Sequence, residues 1–226
     1  MKSFIVSLVP QSVLNFYHLA FAYGGALICG FPSRGLVVIG VTGTKGKSTT
    51  VELIRAILTE AGHTVAVAST IRFAIGRDSE PNLFKMTMPG RAYLQRFLRK
   101  AVKAGATYAV VEMTSEGAKE FRHKGIALNA LVFTNLAPEH IESHGGLEQY
   151  KQAKLSLAKH LEDSSKRPRI IVANADDPVG KEFLNTAVEM RVPFVLRDAE
   201  PYTADDKSVR FLWRGELFTA PLPGLF

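Results

Sequence analysis

The sequence predicts an α/β fold: a doubly wound, mostly parallel sheet with an apolar helix ahead of it and a β-hairpin at its end. Three observations carry this. From Leu36 onward, short runs that are apolar throughout alternate with longer segments whose apolar residues recur every three to four positions, the pattern of strands covered on both faces and joined by crossover helices. Near the C-terminus the pattern becomes strict alternation in VRFLWRGELFTA, with Arg214-Gly215 at the pivot, which is a hairpin signal. Ahead of the sheet, no Asp, Glu, Lys or Arg stands between Lys2 and Arg34. With 226 residues the chain has room for one good core and a small appendage, and it divides into an apolar helical segment, 1–34, and an α/β domain, 35–226.

The first segment contains VLNFYHLAFAYGGALICGF, Val13 to Phe31, long enough to cross a bilayer as a helix. Asn15, His18 and the pair Gly24-Gly25 dilute its hydrophobicity, and Lys2 and Arg34 are its only charged flanks. A helix packed on protein or lying on a membrane surface is therefore favoured over a true span.

The sheet elements follow in order. LVVIGVT is a buried strand, and Ser48 to Ala61 places Val51, Ile54, Leu58 and Ala61 on one helical stripe, with Gly62 where the helix ends. TVAVAST is the next strand, and a polar loop from Arg77 to Pro89 leads to a helix marked by Leu94, Phe97, Leu98 and Val102. TYAVVEM and ALVFTN are further strands. A helix over 147–161, the strand RIIVAN, a helix over 178–190 and a short strand PFVLR complete the expectation.

Composition narrows the function classes. The single cysteine, Cys29, excludes a disulfide framework and cysteine-cluster metal sites, and fits a reducing, cytoplasmic compartment. The net charge of +7 would suit an anionic partner, but Arg91, Arg96, Arg99, Lys100 and Lys103 lie along one helix and are not set among stacking aromatics. They read as a solvated face, not as a nucleic-acid surface.

The chemistry is concentrated between the first strand and the first helix of the sheet. A strand, a glycine-containing loop and a helix N-terminus form an anion site, because successive backbone N–H groups and the helix dipole point at one place. GTKGKST supplies this arrangement. Of the pattern G-x-x-x-x-G-K-[ST], Gly46, Lys47 and Ser48 match, and Val41 stands where the first glycine would be, with Gly43 two residues later. Gly46 lets the backbone approach phosphate, Lys47 neutralises β/γ oxygens, and the Ser48 hydroxyl is placed to ligate Mg²⁺. The predicted ligand is a nucleoside triphosphate held by Gly43, Thr44, Lys45, Gly46, Lys47, Ser48 and Thr49.

GVTGTKGKSTT resembles the ATP loop of the Mur ligases, ATP-dependent amide-forming enzymes that build the peptide of bacterial cell-wall precursors, with folylpolyglutamate synthetases as more distant relatives. YAVVEMTSEG is similar to the family segment in which a strand-end glutamate helps hold Mg²⁺, here Glu112, followed by Thr114-Ser115 and by Glu116 where histidine is usual. TNLAPEHIESHGGLEQYKQAKLSL resembles the stretch whose histidine, here His140, ligates a second Mg²⁺, with Glu139 in the usual aspartate position and Pro138 before it; His144 and Gly145 also fit. Lys154 falls at the family's carbamylated lysine. Its spacing from Tyr150 puts both on one helix face, and carbamylation requires a neutral amine, so burial should lower its pKa. TMPG resembles the turn that contacts the UDP-sugar peptide, through Thr87 and Pro89, with Ser115 beside it. VANADDP is similar to a segment that places Asn174 and Asp176 on the nucleotide side.

The resemblance implies an ATP- and Mg²⁺-dependent acid–amino acid ligase module of peptidoglycan precursor synthesis. Its catalytic set is Lys47, Lys154, Glu112 and His140, and its metal donors are Ser48, Glu112, His140 and carbamylated Lys154. The partners implied are a UDP-muramyl-peptide-like substrate, an amino acid and no nucleic acid. Family members have three parts, and this sequence has room for the middle one, so the UDP-binding and C-terminal ligase domains are expected to be absent, through truncation, a partial gene or a split enzyme completed by a separate chain. The alternative is an ATP-binding scaffold that has lost catalysis and associates with a partner or, through residues 1–34, with the inner face of the membrane. A P-loop kinase of small acids is a third reading, weakened by the lack of an arginine-rich lid.

Overall fold

Strand β1 (Val37–Thr42) lies in the middle of the sheet, hydrogen-bonded to β5 (Tyr108–Glu112) on one side and to β6 (Ala130–Phe133) on the other, both parallel. That position explains its sequence. Val38 and Val41 are fully buried on opposite faces, and a Cβ on Gly40 would meet Leu131 and Met113 at 3.0 Å. The computed structural model describes residues 10–84, 86–139 and 144–221.

The remaining strands complete an eight-stranded sheet in the order β4-β3-β2-β5-β1-β6-β7-β8. β2 (Val65–Ala68), β7 (Ile170–Asn174) and β8 (Met190–Phe194) are parallel to their neighbours, whereas β3 (Arg72–Ile75) and β4 (Asp78–Pro81) form an antiparallel edge. β8 is the other edge, where Pro193 can sit because the missing N–H faces no further strand.

Helices cover both faces. On one, Val51, Ile54 and Leu58 of α2 (Lys47–Glu60) pack on Val41, Val65, Val67 and Val110. On the other, Leu94 and Leu98 of α3 (Arg91–Lys103), Leu157 and Leu161 of α5 (Leu147–Glu162) and Phe183 of α6 (Gly180–Leu184) share the larger core with Leu131, Phe133 and Ile171. Each such leucine contributes about 2 kcal/mol by leaving water. Between β5 and β6 lies the short α4 (Ser115–Lys119), its first turn capped by the Thr114 hydroxyl, which accepts from the Gly117 amide at 3.0 Å.

α1 (Gln11–Ile28) packs on α3 through small residues. Ala22, Gly25, Ala26 and Cys29 are buried, and a Cβ on Gly25 would lie 3.3 Å from the Ala92 backbone. A 3₁₀ turn, Pro32–Gly35, then delivers the chain to β1. Among the described residues no helix is long and apolar enough to cross a membrane, so the bilayer-spanning reading of this helix is set aside.

The C-terminal hairpin forms as predicted, with Arg214 and Gly215 at φ 52° and 84°, the left-handed pair that a two-residue turn between twisted strands demands. β10 (Val209–Trp213) and β11 (Glu216–Ala220) are joined by an unforeseen third strand, β9 (Tyr202–Ala204), in a separate sheet.

Three expectations need correction. The helix over 178–190 is only α6, because the chain turns at Asn185 and Thr186, buries Val188 and enters β8 at Met190. The polar loop after Arg77 contains β4, whose residues are all exposed and so carry no apolar alternation. Val102 is 40% exposed, not core.

Candidate functional site

β1 ends at Thr42 and α2 begins at Lys47, so the intervening loop lies at the C-terminal edge of the parallel strands, with the N-terminus of α2 aimed across it. Gly43 is compelled by close approach: at φ 147°, a Cβ there would lie 1.9 Å from Thr134 Oγ1. Gly46 is left-handed at φ 79°, and space around it is open. This is the geometry that lets backbone amides face a bound anion.

The loop is held from outside by Thr134 and Asn135, which follow β6. The Thr44 amide donates to the Asn135 carbonyl at 2.9 Å, the Lys45 amide to Asn135 Oδ1 at 2.9 Å, and Thr134 Oγ1 to the Lys45 carbonyl at 2.7 Å. Thr44 is buried and its hydroxyl lies 3.1 Å from Tyr150 Oη on α5. Lys47 Nζ donates to the Thr44 carbonyl at 2.8 Å. Burial lowers its pKa, and the carboxylates of Glu112, Glu139 and Glu116 oppose that shift. Thr49 is exposed at the start of α2, and Lys45 pairs with Glu139 at 3.6 Å in solvent, a contact of little energy.

Glu112 ends β5 beside the loop and is 2% exposed. Its Oε2 accepts from Ser48 Oγ at 2.9 Å and from the Thr70 amide at 2.8 Å, and its Oε1 accepts from Thr70 Oγ1 at 3.0 Å. A buried carboxylate and a hydroxyl side by side are hard oxygen donors of the kind Mg²⁺ takes, with phosphate oxygens and water completing the shell. Among the described residues, no group of three or more His, Cys, Asp and Glu is placed to hold a metal. His140 lies outside the described residues.

Lys154 enters from α5. Its side chain is 1% exposed, Nζ donates to the Gly43 carbonyl at 2.7 Å, and the ammonium lies 4.5 Å from the centre of the Tyr150 ring. Burial, aided by the nearby charge of Lys47, pulls its pKa down to about 7. The sequence expectation of a neutral-capable amine on the Tyr150 face of this helix therefore has a physical basis.

A cleft of about 270 Å³ opens in front of these groups, lined by Lys47, Thr87, Glu112, Ser115, Arg122 and Lys154 among others. Thr87 Oγ1 is 2.7 Å from Thr70 Oγ1, Pro89 is buried behind it, and Ser115 is buried at the first turn of α4. Glu116 is exposed at the cleft. Asn174 sits at the end of β7, where its amide donates to the Thr134 carbonyl at 2.9 Å and its Oδ1 accepts from the Asp176 amide at 3.0 Å. It reaches the loop only through Thr134. Asp176 accepts from the Leu196 amide at 2.7 Å and is exposed.

Sequence reasoning assigned no role to Thr70, Thr134, Asn135 or Arg122. Arg122 follows α4, pairs with Glu120 at 2.6 Å and donates to the Met88 carbonyl at 2.5 Å, fixing the Thr87 turn. A larger cleft of about 350 Å³ between α3 and the β3–β4 hairpin has Phe73, Tyr93 and Phe97 in its wall, with Asp78 and Glu80 facing Arg96 and Lys100 at its rim, and lies apart from the loop.

A sequence model of the Mur ligase middle domain matches residues 41–211. The UDP-N-acetylmuramoyl-L-alanyl-D-glutamate--2,6-diaminopimelate ligase of Geobacter metallireducens is 36% identical over 180 residues, covering 79% of this chain and 35% of that protein. The UDP-N-acetylmuramyl-tripeptide synthetase of a Roseiflexus species is 36% identical over 187 residues, covering 79% and 37%. A solved structure of a UDP-N-acetylmuramoyl-L-alanyl-D-glutamate--2,6-diaminopimelate ligase superposes with a TM-score of 0.68 at 27% identity, over 83% of this chain and 39% of that one. The chain thus spans well under half the length of these three relatives, and within that span it belongs to the Mur ligase middle domain family.

Proposed function

We propose that this chain is the nucleotide-binding, carboxylate-activating module of an ATP-dependent amide ligase. Its substrates are ATP, a UDP-muramyl-peptide-like acid and an amino acid, its metal is Mg²⁺, and its setting is cytoplasmic peptidoglycan precursor synthesis. The observation that supports this best is the convergence of Lys47, the Ser48–Glu112 pair and Lys154 on one loop at the carboxyl ends of β1 and β5.

In this reading the amides of Gly43 to Thr49 and the N-terminus of α2 cradle the triphosphate, and Lys47 exchanges the Thr44 carbonyl for phosphate oxygens. Ser48 and Glu112 hold the cation, with carbamylated Lys154 and His140 as donors to a second. Bound Mg²⁺ supplies Lewis acidity that offsets phosphate charge, worth several kcal/mol in a site shielded from water. Thr87, Ser115 and Arg122 line the side where the acid binds, backed by buried Pro89; there its carboxylate takes the γ-phosphoryl group as ADP leaves, and an amine then attacks the acyl phosphate, giving the amide and releasing phosphate. Delivering that amine falls to the portion of the relatives' length that this chain does not span, in the same polypeptide or in a separate one.

Calorimetry of the chain with ATP and Mg²⁺ tests the reading. It requires a 1:1 complex that Lys47→Ala weakens by at least about tenfold, the loss of one charge-assisted contact. A chain with native circular dichroism that takes up no nucleotide, or a Lys47→Ala variant that binds as well as the parent, contradicts it.

A further inference from the structure

α1 is built the wrong way round for a helix that ends at water. Its buried stripe is made of small residues, Ala22, Gly25, Ala26 and Cys29, while Phe16, Tyr17, Phe21, Tyr23, Leu27 and Ile28 point outward. Phe16 is 73% exposed, Leu27 68% and Ile28 82%. The packing against α3 is close enough at Gly25 that a turn of the helix to hide the large residues would drive them into the Ala92 backbone. The apolar face is therefore fixed outward.

The chemistry beside that face selects its occupant. The C-terminal part of α1 meets the start of α3, with Gly25 opposite Ala92, and the chain that follows the helix passes along α3, with Gly30 beside the Arg99 guanidinium and Gly35 against Val102. The Arg34 guanidinium sits 4.5 Å over the Phe31 ring just after α1, and Arg99 and Lys103 are exposed along α3. No acidic residue occurs in α1, in the 3₁₀ turn or in α3. Asp163 lines the cleft shared by Tyr23 and Arg34 and is engaged by Lys159 at 3.5 Å, and Asp78 and Glu80 lie across the aromatic-walled cleft from Arg96 and Lys100. An uncharged, aromatic-bearing helix face that continues into Arg34, Arg99 and Lys103 is complementary to a bilayer with anionic headgroups, where tyrosines sit at the interface and the basic residues meet phosphate.

We infer that α1 and the basic edge of α3 form a docking surface for anionic membrane, on which α1 lies in the plane of the interface. The inference is independent of the nucleotide site.

Vesicle flotation with the full chain tests it, using phosphatidylcholine vesicles and vesicles of phosphatidylcholine with phosphatidylglycerol. Binding to the anionic vesicles should be at least about tenfold tighter and should weaken with salt. The double variant Phe16→Ser/Ile28→Ser, both at exposed positions, should lose flotation with unchanged circular dichroism. Arg99→Gln/Lys103→Gln should abolish the preference for anionic lipid. Flotation that survives Phe16→Ser/Ile28→Ser would place the contact elsewhere, and equal binding to both vesicle types would remove the role of the basic edge; either overturns the inference. So does a dimer by light scattering that Phe16→Ser/Ile28→Ser dissociates and that ignores vesicles, which would assign the face to a second copy.

Discussion

The Lys154 ammonium donates to the Gly43 carbonyl at 2.7 Å, tying the middle of α5 to the first residue of the loop between β1 and α2 across 111 positions of sequence. The same amine, with its pKa drawn down to about 7 by burial, is the group that the ligase reading needs in neutral form.

A first prediction follows from that pKa. Only the neutral amine adds CO₂, so carbamylation should rise as pH climbs through about 7, some three units below where an ordinary lysine would respond. Carbon-13 NMR of the chain in labelled bicarbonate should give a carbamate signal that Lys154→Ala removes. A signal with an ordinary lysine pH profile, or one that survives the substitution, would show that Lys154 is not its source.

Thr70 grips both oxygens of Glu112 and touches Thr87, and so, in the ligase reading, links the cation side of the cleft to the acid side. Thr70→Val keeps the amide contact but strips both hydroxyl contacts. It should cost about 1 kcal/mol of stability and weaken Mg·ATP binding about three- to tenfold, whereas Thr70→Ser should retain both. Paired thermal melts and titrations decide this, and a valine variant indistinguishable from the parent would reduce Thr70 to a bystander.

Acid sensitivity should come from the pair His123 and His160, whose rings meet edge to face with centroids 4.7 Å apart in the core. Burial holds His160 down to about 4 and His123 well below its usual value. Between about 6.5 and 4 the unfolded chain therefore binds more protons than the folded one. Stability is intact above that window and falls on acidification through it, by ~3 kcal/mol for His160 alone. His160→Gln, which preserves a donor to the Ile126 carbonyl that Nε2 reaches at 2.7 Å, should flatten the loss. A parent whose denaturation midpoint is unchanged between those pH values would contradict the assignment.

Legibility followed the range of the physics. Val38 to Thr42, the Gly46-Lys47-Ser48 run and the Arg214-Gly215 turn announce themselves because each is decided by near neighbours: a buried strand, a helix N-terminus, a left-handed pair. The spacing of Tyr150 and Lys154 was equally readable, being one helix face. β4 was hidden because both its faces are wet, and the end of α6 because Val188 is drawn into the core by tertiary packing that local pattern does not encode. Thr70 acts on a residue 42 positions away, and Asn135 on one 90 positions away. Neither role exists until the strands are side by side. The outward face of α1 was visible as composition, but which residues point outward depends on the close approach of Gly25 to α3.

The most direct test of the account is a map of backbone amide NMR shifts during titration with Mg·ATP. The largest shifts should fall on Gly43 to Thr49, with Thr70, Glu112 and Lys154 next, and in Lys47→Ala they should need at least about tenfold more nucleotide. Shifts centred instead on the basic cleft of Arg34, Lys166 and Arg167 at the amino-terminal ends of β1, β5 and β6, with the Gly43–Thr49 loop unmoved, would contradict it.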